Sequence, residues 1–409
     1  MSARTWLEDS ARRLGTPGRV NLDNGDWPYH PMSLADGYCG LAVLFARLSD
    51  ESPELRENAH EHLAAAAKAR RPGVEGLFDG LPSLGFAARS IARADGDYRG
   101  VLARIDPHVL RLAESALVAE EARLRAREPG ARMAAYDVSS GLAGVGRYLL
   151  ACGAGARPVL ERLLAYLVRL TDPVRVGGHW VPGWWTSDPS LLADPVAHPE
   201  GHFNLGMAHG VSGPLALLAL CHAQGVVVEG QAEAMRRIAT WLLSRRGVDE
   251  HGPYWPALVP LEHEVASTAD PLPPSRVAWC YGAPGVARAV QLAAAAVGEV
   301  AWAEEARTTL RAAFRRPRAR WGIRDASLCH GSAGVLHATA LVLGRDADVL
   351  PDLCEHLLAQ RDRHTVITVP PNRPGFLDGS AGTLLALHDY LTPTSSTTLL
   401  PWSAALVLG

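Results

Sequence analysis

Lysine is scarce in this chain, and its six cysteines are scattered. With 40 basic and 43 acidic side chains among 409 residues, the formal net charge is only −3. That balance leaves no broad basic patch for nucleic acid and no polybasic segment for an anionic membrane. Apolar stretches are interrupted by glycine, histidine or charge and are too short to span a bilayer. The N-terminus carries Thr5-Trp6-Leu7-Glu8-Asp9 and no apolar signal region. Scattered cysteines suit a reducing compartment better than a disulfide framework. The expectation is a cytoplasmic protein with no integral membrane segment and no nucleic-acid partner.

What the chain does contain is a repeat. The copies are Asp36-Gly37-Tyr38-Cys39-Gly40, Asp79-Gly80-Leu81-Pro82-Ser83, Ser140-Gly141-Leu142-Ala143-Gly144, His209-Gly210-Val211-Ser212-Gly213, Tyr281-Gly282-Ala283-Pro284-Gly285, His330-Gly331-Ser332-Ala333-Gly334 and Asp378-Gly379-Ser380-Ala381-Gly382. Six of the seven fit Gly-x-x-Gly, and the second has Ser83 in place of the last glycine. An apolar stretch follows nearly every copy. Leu215 to Leu220 is apolar all round, which predicts a helix buried on most sides. Asp36, Asp79, Ser140 and Asp378 stand before such helices and are good N-cap types.

Between the buried helices lie segments with apolar positions at helical spacing on a charged background. They are Pro53 to Arg70, Val101 to Arg127, Arg157 to Leu170, Gln231 to Arg246, Ala301 to Arg315 and Ala347 to Asp362. Buried and amphipathic helices thus alternate about seven times. The simplest closure is a ring with inner helices around an axis and outer helices behind them, which needs no polar end caps. The predicted fold is all-α, an α/α toroid of about seven inner and seven outer helices, in one domain over residues 1–409 with a repeat core from about 36 to 390. The connectors holding Gly178 to Trp185 and Gly252 to Pro256 are rich in aromatics, Gly and Pro. They read as short hairpins or ordered loops at one rim, serving either to bind ligand or to plug the rim.

Residues that break the repeat mark the chemistry. Cys280 and Cys329 stand two places before the first glycine of copies five and six, and His330 and His209 one place before it in copies six and four. In a ring, one register gathers at one rim, so Cys280, Cys329 and His330 lie close. Two thiolates and an imidazole form a zinc set with a fourth position open, as catalytic zinc requires. Cys39, Cys152, Cys221 and Cys354 read as buried structural thiols. Histidine is a poor N-cap, so His209 reads as an acid/base beside the metal or as a buried histidine bonded to backbone. Asp137 either orients His209 or makes a local turn. Arg276 either stabilises developing negative charge or forms a plain salt bridge. Tyr281 reaches the site or only packs. The connector histidines His179, His198, His202, His251 and His263 read as solvated or locally bonded.

Trp279-Cys280-Tyr281-Gly282, Cys329-His330-Gly331, Ala208-His209-Gly210 and the glycine turns together resemble the LanC-type lanthipeptide cyclases, over roughly residues 36 to 390. The resemblance implies one zinc ion per chain, held by Cys280, Cys329 and His330. It implies acid/base roles for His209 and Asp137 and places Arg276 near the metal. The implied activity is Michael-type addition of peptide cysteine thiols to dehydroalanine or dehydrobutyrine, closing (methyl)lanthionine thioether rings. The implied partners are a dehydrated precursor peptide as substrate and a separate dehydratase. Two other readings accompany it. One is a related zinc enzyme that adds glutathione to electrophiles or dehydro residues. The other is a zinc-stabilised helical scaffold in a peptide-modifying complex.

Overall fold

Each glycine turn opens a helix that is buried along almost its whole length. They belong to one long series of helices, and among the described residues the only strands form three short pairs. In chain order the series begins α1 (Ala3–Leu14), α2 (Tyr38–Leu48), α3 (Arg56–Ala67), α4 (Leu81–Ile91), α5 (Arg99–Ala126) and α6 (Met133–Tyr136). It continues α7 (Leu142–Cys152), α8 (Arg157–Arg169), α9 (Ser212–Ala223), α10 (Gln231–Ser244) and α11 (Leu261–Val265). It ends α12 (Ala283–Val297), α13 (Val300–Arg315), α14 (Ser332–Leu343), α15 (Val349–Gln360) and α16 (Ser380–Leu391). The structure, a computed structural model, describes residues 2–20, 30–69, 73, 75–189, 198–266, 270–360, 373–392 and 400–409. The ends of two expected amphipathic helices, at 70 and 361–362, fall outside the described residues.

The buried helices are α2, α4, α7, α9, α12, α14 and α16, one after each turn. The second glycine of each turn is needed for close approach. A Cβ at Gly40 would lie 2.7 Å from the Leu34 carbonyl oxygen, and one at Gly213 would lie 2.8 Å from that of Met207. Ser83 occupies the same place in copy two, and its hydroxyl donates to the Leu77 carbonyl at 3.0 Å. The odd copy therefore replaces a tight contact by a hydrogen bond. The first glycine also takes the N-cap position in every copy but the fourth, without any side-chain cap. Asp36, Asp79, Ser140 and Asp378 stand one residue too early to cap, which corrects the N-cap expectation. Burial instead lifts the Asp36 carboxyl to about 6, and the neighbouring Asp378 adds to the effect.

The amphipathic helices α3, α5, α8, α10, α13 and α15 match the expected segments, and α1 joins them by packing on α16. Two compact units can be distinguished. The first holds residues 1–109 and 323–405, with copies one, two, six and seven. There, Leu328 and Cys329 N–H groups donate to the Leu377 carbonyl at 3.0 Å each, Leu377 N–H donates to Ala35 at 3.0 Å, and Leu34 N–H donates to Phe78 at 2.9 Å. The last copy thus hands its backbone bond to the first, which an open solenoid does not do. The second unit holds residues 110–322 and 406–408, with copies three to five. Its turns follow the same rule. Val138 N–H donates to the Ala208 carbonyl at 3.0 Å, and Met207 N–H donates to that of Cys280 at 2.9 Å.

The aromatic connectors belong to the second unit and form antiparallel pairs. They are β1 (Val174–Val176) with β2 (His179–Val181), β3 (His202–Asn204) with β6 (Leu258–Pro260), and β4 (Gly247–Asp249) with β5 (Gly252–Tyr254). Trp184 and Trp255 are buried against α10. Trp184 meets Trp241 edge-on with ring centroids 5.3 Å apart, and Trp255 Nε1 donates to the Leu242 carbonyl at 2.8 Å. Those two rings are part of the core, whereas Trp180 on β2 is exposed. Among the described residues no helix is long and apolar enough to cross a membrane.

Candidate metal centre

Cys280 sits where backbone contacts leave little freedom. Its carbonyl accepts from Met207 N–H at 2.9 Å, and the next glycine, Gly282, has φ +116°, a region that side chains avoid. The preceding residue, Trp279, is fully buried, and its Nε1 donates to the Leu406 carbonyl at 3.1 Å. Cys329 is held through its N–H to Leu377, and His330 N–H reaches Ser327 Oγ at 3.4 Å. The Sγ atoms of Cys280 and Cys329 and a ring nitrogen of His330 all lie within 4.8 Å of one another. Tetrahedral zinc with sulfur ligands would space two sulfurs about 3.8 Å apart, a separation inside that limit. Two thiols and an imidazole are also the donor chemistry zinc prefers. The residues fit the metal that the register of the repeat led us to expect. The other four cysteines form no disulfide, and three of them are buried. Burial pushes the Cys221 thiol up to about 12, which suits an inert structural role.

His330 is flanked by carboxylates. Asp325 Oδ2 is 3.2 Å from Nε2, and Asp378 Oδ1 is 3.5 Å from Nδ1. Burial alone would raise the Asp325 carboxyl, but its hydrogen bonds to His330 and Ser327 outweigh that and hold it at about 2.

The second constellation is a histidine–carboxylate pair. His209 Nδ1 lies 2.7 Å from Asp137 Oδ2. The other carboxylate oxygen, Oδ1, accepts from the N–H groups of Ser140 and Gly141 at 2.8 Å each. Asp137 therefore both closes a local turn and bonds to the His209 ring. Its side chain is 3% exposed against 24% for His209, so the carboxylate is buried while the ring edge is open. Among the described residues nothing hydrogen-bonds His209 Nε2. The Tyr281 ring lies beside it, with centroids 6.4 Å apart, and the Tyr281 hydroxyl accepts from Asn204 Nδ2 at 3.0 Å.

Arg276 is half-buried six places before Gly282, its Cβ packed toward Gly322. Among the described residues its guanidinium forms no ion pair, so the plain salt-bridge reading finds no partner there. No contact brings it to His209 or Asp137. Of the connector histidines, His202 departs from expectation. It is 1% exposed on β3, and burial drives its pKa down to about 4. Asn204 and Asp325 were not singled out in the sequence. They share a register with Arg276, six places before the first glycine, and each accepts an N–H two residues on through its Oδ1.

A family model described as "Lanthionine synthetase C-like protein" matches residues 28–407. The chain is 22% identical over 399 residues to "Nisin biosynthesis protein NisC" of Lactococcus lactis subsp. lactis, covering 95% of this chain and 91% of that protein. A solved structure named "Nisin cyclase" superposes with a TM-score of 0.76 at 19% identity, covering 99% of this chain and 96% of that one. That likeness establishes the fold as the α/α toroid the repeat predicts.

Proposed function

Since the chain belongs to the lanthionine synthetase C-like family, we propose that it is a zinc-dependent cyclase that closes thioether rings in a dehydrated precursor peptide. The observation that carries this reading is the meeting of Cys280, Cys329 and His330 at one point. Its likeness to a nisin biosynthesis protein and to a nisin cyclase supports it. Cys280, Cys329 and His330 would hold the metal, which when bound supplies Lewis-acid activation of a peptide thiol at neutral pH.

The reaction is an addition without redox change. A peptide cysteine S–H adds across the Cα=Cβ bond of dehydroalanine or dehydrobutyrine, sulfur bonding to Cβ and hydrogen to Cα. His209 is built to move that proton. Asp137 holds Nδ1, leaving Nε2 to accept the thiol proton and return it to Cα. Negative charge develops on the carbonyl oxygen of the dehydro residue, and Arg276 is the cation assigned to it. Tyr281, steadied by Asn204, fixes the plane beside His209. The proposal includes a separate dehydratase that prepares the peptide, a cytoplasmic setting, and residues 1–409 acting as one domain.

Ring closure leaves the peptide mass unchanged but removes a thiol. The test uses a synthetic peptide with one dehydroalanine and one cysteine, quenched with N-ethylmaleimide and weighed. Zinc-loaded protein should abolish the alkylated product faster than buffer does. A rate equal to the uncatalysed background, across several ring spacings, would sink the proposal.

A further inference from the structure

The imidazole of His330 has one carboxylate at each ring nitrogen, and the two are not equivalent. Asp325 Oδ2 is 3.2 Å from Nε2, whereas Asp378 Oδ1 is 3.5 Å from Nδ1. The Asp325 side chain is 8% exposed and that of Asp378 is 32% exposed. Asp325 is also tied down elsewhere. Its Oδ1 accepts from Ser327 N–H at 2.9 Å, and its carbonyl accepts from the N–H of Ser332 at 3.1 Å. Gly331 leaves it room, because any Cβ there would run into Oδ1 of Asp325. By contrast, Asp378 Oδ1 has no hydrogen-bond partner among the described residues, so its approach to Nδ1 is not a hydrogen bond.

An imidazole that binds a metal through one nitrogen needs its other N–H held, which fixes both tautomer and ring orientation. We propose that Asp325 is the positioning residue of the metal centre: Oδ2 accepts the Nε2–H of His330 and leaves Nδ1 as the atom that meets the two thiols. This inference rests on the zinc reading above and goes beyond it by naming the ligating nitrogen and its support. Asp325 acts only through His330 and touches neither metal nor substrate. Asp378 adds nearby negative charge and does not orient the ring.

The test is zinc affinity, measured by competition with a chromophoric chelator in wild type, Asp325→Ala, Asp325→Asn and Asp378→Asn. Asp325→Ala should weaken zinc binding about 10–100-fold, and Asp378→Asn less than about threefold. Asp325→Asn keeps an oxygen for Ser327 N–H, so it preserves the turn should the alanine variant fail to fold. It too should bind zinc more weakly, and its cobalt-substituted form should show shifted ligand-field bands. A merely structural role would instead lower the unfolding midpoint of the metal-free protein and leave those bands alone. Wild-type affinity and bands in Asp325→Asn would overturn the proposal, as would an equal loss in Asp378→Asn. A folded wild type that binds no zinc at all would instead remove the metal reading on which the proposal rests.

Discussion

Arg47 and Asp389 are 342 positions apart in sequence, yet Arg47 Nε donates to Asp389 Oδ1 over 2.8 Å. Arg47 lies on α2, the first buried helix, and Asp389 on α16, the last. The pair is inside a network. Arg47 also reaches Asp50 at 2.8 Å, and Trp402 Nε1 donates to Asp389 Oδ2 at 2.9 Å. Together with the Leu377–Ala35 backbone bond, it joins the end of the repeat to its beginning within the first unit.

That network gives a pH-dependent stability prediction. Burial would raise the Asp389 carboxyl from 3.8, but His388, His337 and Arg47 overcome this and hold it at about 2. A carboxyl depressed on folding stabilises the fold above its unfolded pKa and loses that contribution as pH falls through about 2. Asp389→Asn should therefore destabilise the protein by about 2–3 kcal/mol at pH 7, since Arg47 retains Asp50 as a partner. Urea unfolding at pH 7 and pH 3 should show the gap between wild type and variant narrowing at the lower pH. An equal gap at both would remove the ion pair as its cause.

Metal removal is the next expectation. Purified wild type should carry about one zinc per chain by elemental mass spectrometry. Cys329→Ala should lose that zinc and ring-closing activity together. Cyclisation at the wild-type rate by a verified zinc-free Cys329→Ala protein would show that the thiol of the substrate needs no metal.

His209→Ala separates proton transfer from metal binding. The His209 ring contacts Asp137 and lies beside Tyr281, and it is not one of the three donors that converge. Its zinc content should stay at the wild-type level while ring closure slows about 10²–10⁴-fold. Loss of zinc in this variant would mean that His209 supports the centre structurally.

The repeat made most of this legible. Glycines that seat a helix on the carbonyl of the preceding loop must recur wherever that packing recurs, so the inner helices could be counted directly. The register of Cys280, Cys329 and His330 followed from the same rule. Three things escaped it. Helix α1 has no glycine turn before it; Ser2 caps it instead, its side chain accepting from Thr5 N–H. The buried segment Trp402–Leu406 is a short 3₁₀ turn outside the repeat, and its value lies in tertiary bonds such as Trp279 to Leu406. Asp325 and Asn204 stand six places before the glycine, beyond the phrase that repeats, although comparing copies at that register would have found them.

Asp137→Asn is the sharpest test of the His209 pair. The carboxylate divides its work, with Oδ1 on the Ser140 and Gly141 amides and Oδ2 on His209 Nδ1. Asparagine keeps an oxygen for the amides, so the turn before α7 should survive and the fold should be stable. Its amide nitrogen then faces Nδ1 and donates, which forces Nδ1 to accept and moves the ring proton to Nε2. The nitrogen that should accept the thiol proton becomes a donor instead. Ring closure should slow about 10²-fold or more with zinc content unchanged. A wild-type rate in a folded, zinc-loaded Asp137→Asn protein would mean that Asp137 only shapes the turn and that another group governs the proton.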